Sequence, residues 1–257
     1  MERKLTFNEI PELYEAYRPT YPPAMIEDIL RISGIPSEGE ILEIGCGTGQ
    51  ATVSFAKRGY SMTCLDIGDK TIDFIREKMK DFPKLQFING DFETWDFNNA
   101  TYDLIISGSA FHWIDPVVGY PKVASLLKQK GYFAFFWNMH YSPETLLYQD
   151  IQSVYQRVAP EMSRNRPTGS CEERTTKRLQ QIDESKCYKP VHVLEYPWEQ
   201  EYSANDYVKL LDTFSDHRIM DPTTKEILFR DIIEVIEDHG GFITRPYRTT
   251  CYIACRR

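Results

Sequence analysis

One short stretch constrains this chain more than any other: a strand that stops on a glycine turn and passes straight into a helix. The apolar run Ile41 to Ile44 ends in Glu43-Ile44-Gly45-Cys46-Gly47-Thr48-Gly49, and a helical pattern from Ala51 to Arg58 follows, ended by Gly59. Glycine suits a loop that must turn tightly while its backbone lies against a ligand. The helix behind it presents unpaired N–H groups and a positive dipole end to an anionic group. A nucleotide-type ligand fits such a loop.

The same unit recurs. Ser61 to Leu65 reads as a second strand closed by Asp66, and Asp69 is expected to N-cap a helix running to Met79. Leu85 to Ile88 and Tyr102 to Ser107 read as third and fourth strands. Asp115-Pro116 opens a helix expected to run to Lys130, and Gly131 admits a fifth strand, Tyr132 to Trp137. Short apolar strands alternating with helices imply a parallel sheet covered on both faces. Ahead of this core, residues 1–23 form a polar and aromatic leader ending in Pro22-Pro23. A helix follows, with Met25, Ile26, Ile29 and Leu30 on one face, closed by Gly34 and Pro36.

The alternation breaks after Asn138. Residues 142–182 read as polar helix interrupted at Pro167 to Gly169, the place for a lid or substrate-binding insertion. Strand character returns at Val191 to Trp198. Helices are expected from Ser203, as cap, to Leu211 and from Thr223 to Asp238, the latter stopping at Gly240-Gly241. Thr249 to Ala254 reads as a last strand.

The 257 residues suffice for one large α/β domain with an inserted cap. A net charge of −8 disfavours non-specific nucleic-acid binding, which needs clustered Lys and Arg. The six cysteines, Cys46, Cys64, Cys171, Cys187, Cys251 and Cys255, form no CxxC pair or zinc-spaced cluster, so reduced, buried thiols of a cytoplasmic protein are expected and no metal. Met1 to Lys4 lacks the apolar core of a signal peptide, and no apolar run approaches the ~20 residues of a membrane helix.

Which nucleotide the loop takes turns on spacing. The dinucleotide fingerprint GxGxxG would need glycine where Gln50 stands, which counts against an NAD-dependent oxidoreductase. The spacing present is GxGxG, with an acid two residues before the first glycine and Asp66 at the end of the next strand, where a carboxylate can accept from both ribose hydroxyls.

In this form ILEIGCGTG resembles the first motif of the class I S-adenosylmethionine-dependent methyltransferases, and later segments resemble that family in order and spacing. Asp66 in TCLDI is similar to its ribose-binding acid. Asn89-Gly90-Asp91-Phe92 is similar to its adenine-contacting segment, and YDLIISGSAFHWID to its fourth-strand motif. The leader Tyr14 to Pro22 resembles that of small-molecule branches (type 11 and 25 domains, as in trans-aconitate and ubiquinone/menaquinone-biosynthesis methyltransferases), and TTCYIACRR the C-terminal strand. Residues 142–240 match no substrate motif.

The resemblance implies a Rossmann-like, doubly wound seven-stranded sheet, mostly parallel with an antiparallel C-terminal strand, and a helical insertion forming a cap. One domain, 1–257, would comprise N-terminal helices (1–35), a cofactor-binding core (36–140), the insertion (141–190) and a sheet-completing tail (191–257). S-adenosyl-L-methionine would be held by Glu43, Gly45, Cys46, Gly47, Thr48, Gly49, Asp66, Ile67, Asp91, Phe92, Ser107 and Ser109, with Tyr14 and Arg18 closing from the leader. Glu43 is expected to bond loop N–H groups, Ile67 and Phe92 to flank the adenine, and Asp91 to accept from its amino group. For Ile67 and Phe92 core packing is the competing role. His112 is the candidate general base, and Tyr17, Trp113, Trp137 and His140 are candidates for the acceptor pocket. His217, Arg245 and Tyr247 lie in the tail that caps the site in relatives. The expected acceptor is a small molecule. The base-methylating Asn-Pro-Pro-Tyr motif is absent after the fourth strand, where Ser107-Gly108-Ser109-Ala110 stands. A monomer or homodimer without membrane or nucleic-acid partner completes the expectation. The alternative outside enzymes is a non-catalytic fold relative acting as a partner subunit, whose expected mark, a degraded glycine loop, this sequence lacks.

Overall fold

Five strands lie where their apolar runs require. They are β1 (Glu40–Ile44), β2 (Ser61–Asp66), β3 (Leu85–Asn89), β4 (Tyr102–Gly108) and β5 (Leu127–His140), and four consecutive residues of β1 and of β4 are buried. With β6 (His192–Ser203) and β7 (Phe242–Cys255) they form a seven-stranded sheet in the order β3-β2-β1-β4-β5-β7-β6. The computed structural model describes residues 7–164, 171–189 and 191–257. Strands β1 to β5 pair in parallel, and the C-terminal strands run antiparallel. From β1 the chain winds outward to β3, then returns to β4 on the other side of β1. That reversal opens a crevice beyond the carboxyl ends of β1 and β4, where open α/β sheets hold ligands.

The helices are α1 (Pro11–Tyr17), α2 (Pro23–Ser33), α3 (Thr52–Ala56), α4 (Asp69–Lys78), α5 (Pro116–Leu126), α6 (Leu146–Val158), α7 (Pro160–Arg164), α8 (Cys171–Ser185), α9 (Ala204–Asp212), α10 (Ser215–Arg218) and α11 (Pro222–Asp238). In α2 the predicted Met25, Ile26 and Ile29 are buried, and Gly34 ends the helix at φ +58. Asp115, Ser203 and Asp221 cap α5, α9 and α11 through their side chains.

Three expectations are corrected. Gly68, not Asp69, is the N-cap of α4, because the Gly68 N–H donates to Asp66 Oδ1 and holds Gly68 extended. Helix α5 stops at Leu126 and not at Lys130. Leu127 pairs with Tyr102, the register then shifts so that Tyr132 faces Leu104, and Lys130 at φ +63 absorbs the irregularity. The two late strands are longer than their apolar cores. β6, at the sheet edge, alternates exposed and half-covered residues, and only the second half of β7, Thr249 to Cys255, is buried throughout. Helix α1, with Pro11 at its first turn, lies in the leader, where helices are expected. The predicted break at Pro167 to Gly169 lies outside the described residues.

The chain divides into two compact units, each discontinuous in sequence. One comprises 1–18, 139–170 and 197–248; the other 19–138, 171–196 and 249–257. The second carries a core of α2, α3 and α4 side chains against β1, β2 and β4, including Ile26, Ile29, Phe55, Ile75, Leu104 and Ile106. The first is built on Tyr148, Ile151, Tyr207, Leu211, Leu228, Ile232 and Ile236. Among the described residues no helix is long and apolar enough to cross a membrane, and no His, Cys, Asp and Glu group could hold a metal. Cys46, Cys64, Cys187, Cys251 and Cys255 are free thiols, and all but Cys187 are buried.

Candidate functional site

The glycine turn lies in the second unit, directly after β1. Gly45, Gly47 and Gly49 take φ of +70, +53 and +94. The Gly45 and Cys46 N–H groups donate to Leu65 O at 2.8 and 3.1 Å, which ties the turn to β2. A methyl group on Gly45 would stand 2.3 Å from Ala110 Cβ, so the turn after β1 and the segment after β4 meet with no room between them. Gly47 differs: the same methyl would meet only Gln50 Oε1, at 3.9 Å. The loop therefore presents an open backbone face at Gly47 and a closed one at Gly45.

Two carboxylates stand behind this loop in different states. Glu43 is 1% exposed and accepts from the Thr52 hydroxyl at 2.6 Å, which fixes α3 to β1. Burial pushes its pKa up to about 8, with Asp66 adding repulsion and Thr52 and Lys78 opposing. Asp66 makes the contact expected of Glu43. Its Oδ2 accepts from the Gly47 N–H and its Oδ1 from the Gly68 N–H, both at 2.9 Å. Burial raises its pKa while these N–H bonds lower it. A carboxylate oxygen accepts more than one bond, so Asp66 keeps capacity for ligand hydroxyls.

The neighbouring positions fall into place around this pair. Ile67 is half-buried. Asn89 Nδ2 donates to Asp66 O and Ile67 O at 3.2 and 3.0 Å, so the end of β3 supports the turn after β2. Asp91 Oδ1 accepts from the Glu93 N–H at 2.9 Å in a local turn. Phe92 is buried, 5.9 Å from the Phe97 ring and 5.4 Å from Lys122 Nζ. Ser107 is buried and donates to Ile44 O at 2.8 Å, which joins the ends of β4 and β1. Ser109 holds φ +55 and accepts from the Tyr21 hydroxyl at 3.0 Å. Thr48 is buried, and its carbonyl accepts from Lys78 Nζ at 2.8 Å. Burial raises the Cys46 thiol, which stays protonated and unreactive.

Beyond β4 a second cluster forms in the same unit. Trp137 Nε1 donates to His112 Nδ1 at 3.1 Å. An indole nitrogen is only a donor, so a neutral His112 carries its proton on Nε2. Desolvation of the ring, then the Arg178 guanidinium, pushes its pKa down, although the residue is exposed and water limits that push. Arg178 stacks 3.7 Å above Trp137 and reaches the Tyr252 hydroxyl at 3.5 Å. Trp113 is exposed, its ring 4.7 Å from that of His112. Sequence reading missed Tyr21, Lys78 and Arg178, whose partners lie far away in the chain.

The remaining candidates belong to the first unit. Arg18 donates through Nη2 to Thr213 O at 2.8 Å and lies 5.0 Å from the Tyr14 ring. Tyr17 has Lys209 Nζ 5.2 Å from its ring, and His140 is 6.0 Å from Phe214.

Residues 41–131 match the family model of the methyltransferase domain. An uncharacterized methyltransferase of Mycobacterium tuberculosis is 28% identical over 53% of this chain and 54% of its own length. A malonyl-[acyl-carrier protein] O-methyltransferase of Ilyobacter polytropus is 36% identical over 40% of each chain. The chain thus spans about half the length of the curated relatives it matches. A solved structure from Anaeromyxobacter dehalogenans, described as a type II methyltransferase, superposes with a TM-score of 0.62 at 21% identity, covering 93% of this chain and 97% of that one, which shows the shared fold.

Proposed function

We propose that this chain, whose residues 41–131 match a methyltransferase domain, is a class I S-adenosylmethionine-dependent methyltransferase that transfers a methyl group from that cofactor to a small-molecule acceptor. The observation that carries the reading is the bond between Asp66 Oδ2 and the Gly47 N–H beside the open face of Gly47. It supports the reading because a carboxylate able to accept from ribose hydroxyls stands beside the uncrowded backbone of Gly47. Gly45 to Gly49 would lie under the methionine part, Asp66 would accept from the ribose hydroxyls, and Ile67 and Asp91 would border the adenine. When bound, S-adenosylmethionine supplies a methyl group on a positively charged sulfur.

What remains for the protein is to hold an acceptor in line and exclude water, and positioning of that kind is worth roughly 7–11 kcal/mol. His112 serves this as a donor. With Nδ1 engaged by Trp137 and Arg178 nearby, the imidazole is a poor base, and its Nε2–H is suited to orient an acceptor oxygen. Trp113, Trp137 and Arg178 supply an aromatic and cationic wall for the acceptor.

Calorimetric titration with S-adenosylmethionine and S-adenosylhomocysteine, with NAD as control, tests the reading. Micromolar binding of the first two, weakened at least about tenfold (about 1.4 kcal/mol) by Asp66→Asn and Asp66→Ala, is expected. Folded protein that binds neither, or that binds NAD instead, would overturn it.

A further inference from the structure

Among the described residues, the first unit holds a buried cation without an ion-pair partner. Arg245, in the first half of β7, is 3% exposed, and its Nε and Nη1 have no hydrogen-bond partner. Its guanidinium carbon lies 5.3, 5.6 and 5.7 Å from the ring centroids of Phe214, Tyr207 and Tyr247. The side chains that act on its charge are Tyr207, Tyr247, Tyr148 and Tyr202, with no carboxylate among them. None of three of these phenols supplies a negative charge, because burial raises Tyr148, Tyr202 and Tyr247 above their ordinary pKa. Arg18 adds a second guanidinium, 4.0 Å from the same Phe214 ring.

Aromatic faces attract a cation but accept no directed N–H bonds comparable to those of a carboxylate. A buried guanidinium with idle N–H groups is therefore expensive for the fold, and its planar fork matches a carboxylate in two parallel bonds. The tyrosines offer a further donor. The Tyr202 and Tyr247 hydroxyl oxygens lie 3.1 Å apart, and that bond uses one hydrogen of the two. Tyr148 is already committed to Thr244 O, at 3.0 Å.

We propose that Arg245 anchors a carboxylate-binding site in this unit, with the Tyr202–Tyr247 hydroxyl pair as second contact and Arg18 reinforcing the positive field. The site rests on its own geometry and not on the methyl-transfer reading. Its carboxylate comes from the methyl acceptor itself or from a separate metabolite, and one experiment separates the two. Because Nε and Nη1 have no open surface, a ligand enters as the surrounding rings turn aside, and binding must be read at equilibrium.

The full chain is titrated by calorimetry with succinate, adipate and phenylacetate, with succinamide as the uncharged control. Wild type, Arg245→Met, Arg245→Lys and Tyr247→Phe are compared, and S-adenosylhomocysteine binding is measured on each sample. Carboxylate binding that falls at least tenfold in Arg245→Lys, disappears in Arg245→Met and is absent for succinamide is expected, with unchanged S-adenosylhomocysteine affinity. Arg245→Lys keeps the test alive should Arg245→Met fail to fold. Carboxylates that do not bind wild type at millimolar concentration, or that bind Arg245→Lys and wild type alike, overturn the site. Adding S-adenosylmethionine to a bound carboxylate identifies the source: a methyl ester marks the acceptor, and binding without turnover marks a separate metabolite. Carboxylate binding without S-adenosylhomocysteine binding would sink the methyltransferase reading and leave this site standing.

Discussion

At the scale of single residues, two glycines separated by one residue, Gly45 and Gly47, carry different demands. Gly45 needs both its positive φ and its missing side chain, because Ala110 Cβ occupies the place a methyl would take. Gly47 needs its φ, but space lies beside it. Gly45→Ala is thus expected to lose roughly 1–2 kcal/mol from the left-handed backbone and more from the clash. Gly47→Ala should lose only the backbone part, roughly 1–2 kcal/mol, yet weaken S-adenosylhomocysteine binding by more than about tenfold. Urea unfolding and calorimetry on the two variants check this, and wild-type affinity in Gly47→Ala would refute the placement of the ligand. Glycine spacing was readable in the sequence because the backbone itself carries the requirement. The division of labour between Glu43 and Asp66 was not, since it depends on which carboxylate the fold aims at the Gly47 N–H. Side-chain partners such as Lys78 on Thr48 and Tyr21 on Ser109, 30 and 88 residues apart, leave no local signal at all.

At the scale of elements, the legible parts are those whose local chemistry and packing agree. β1, β2, β3 and β4 are short apolar runs between turn residues, and their bounds follow from the sequence to within a residue or so. The end of α5 was illegible because Leu127-Lys-Gln-Lys130 suits a helix, and pairing with Tyr102 draws it into β5 instead. The cap of α4 was misassigned for a related reason: Asp66 reaches forward to Gly68 and takes over the turn, which leaves Asp69 in the first helical turn as a charge favoured by the dipole. A measurable contrast follows. Asp115 accepts from the Val117 N–H at 2.9 Å and caps α5, so Asp115→Ala should cost about 1 kcal/mol. Asp69→Ala, which removes the bond its Oδ1 accepts from the adjacent Lys70 N–H at 2.8 Å and a dipole contact on an exposed first turn, should cost less, about 0.5 kcal/mol. Chemical denaturation of both variants decides it, and equal losses would return the cap to Asp69.

At the scale of the whole molecule, Glu43 links stability to pH. Its carboxyl is buried under groups from several elements: the Thr52 hydroxyl of α3, Asp66 at the end of β2, Lys78 of α4, and the buried Cys46 and Cys64 thiols. Only Lys78 and Thr52 favour its charged form, and burial outweighs them, so its pKa rises from the ordinary 4.5 to about 8. Between those values the folded protein holds a proton that the unfolded chain has released. Stability must therefore fall as pH rises through that window, with a slope of at most about 1.4 kcal/mol per pH unit from this one group. Asp66, also raised by burial, acts in the same sense. Asp28, Asp103 and Asp216, lowered by Arg31 and Tyr196, by Lys128, and by His217, act in the opposite sense, but only as pH falls toward and below the ordinary carboxylate range. Glutamine mimics the protonated Glu43 without its titration. Urea unfolding of wild type is expected to show a decline in stability from pH 6 to pH 8, and Glu43→Gln to remove most of it. If the two proteins instead lose stability in parallel across that range, Glu43 is ionised in the folded state. Lys78 and the Thr52 hydroxyl, not burial, would then govern the floor of the cofactor loop.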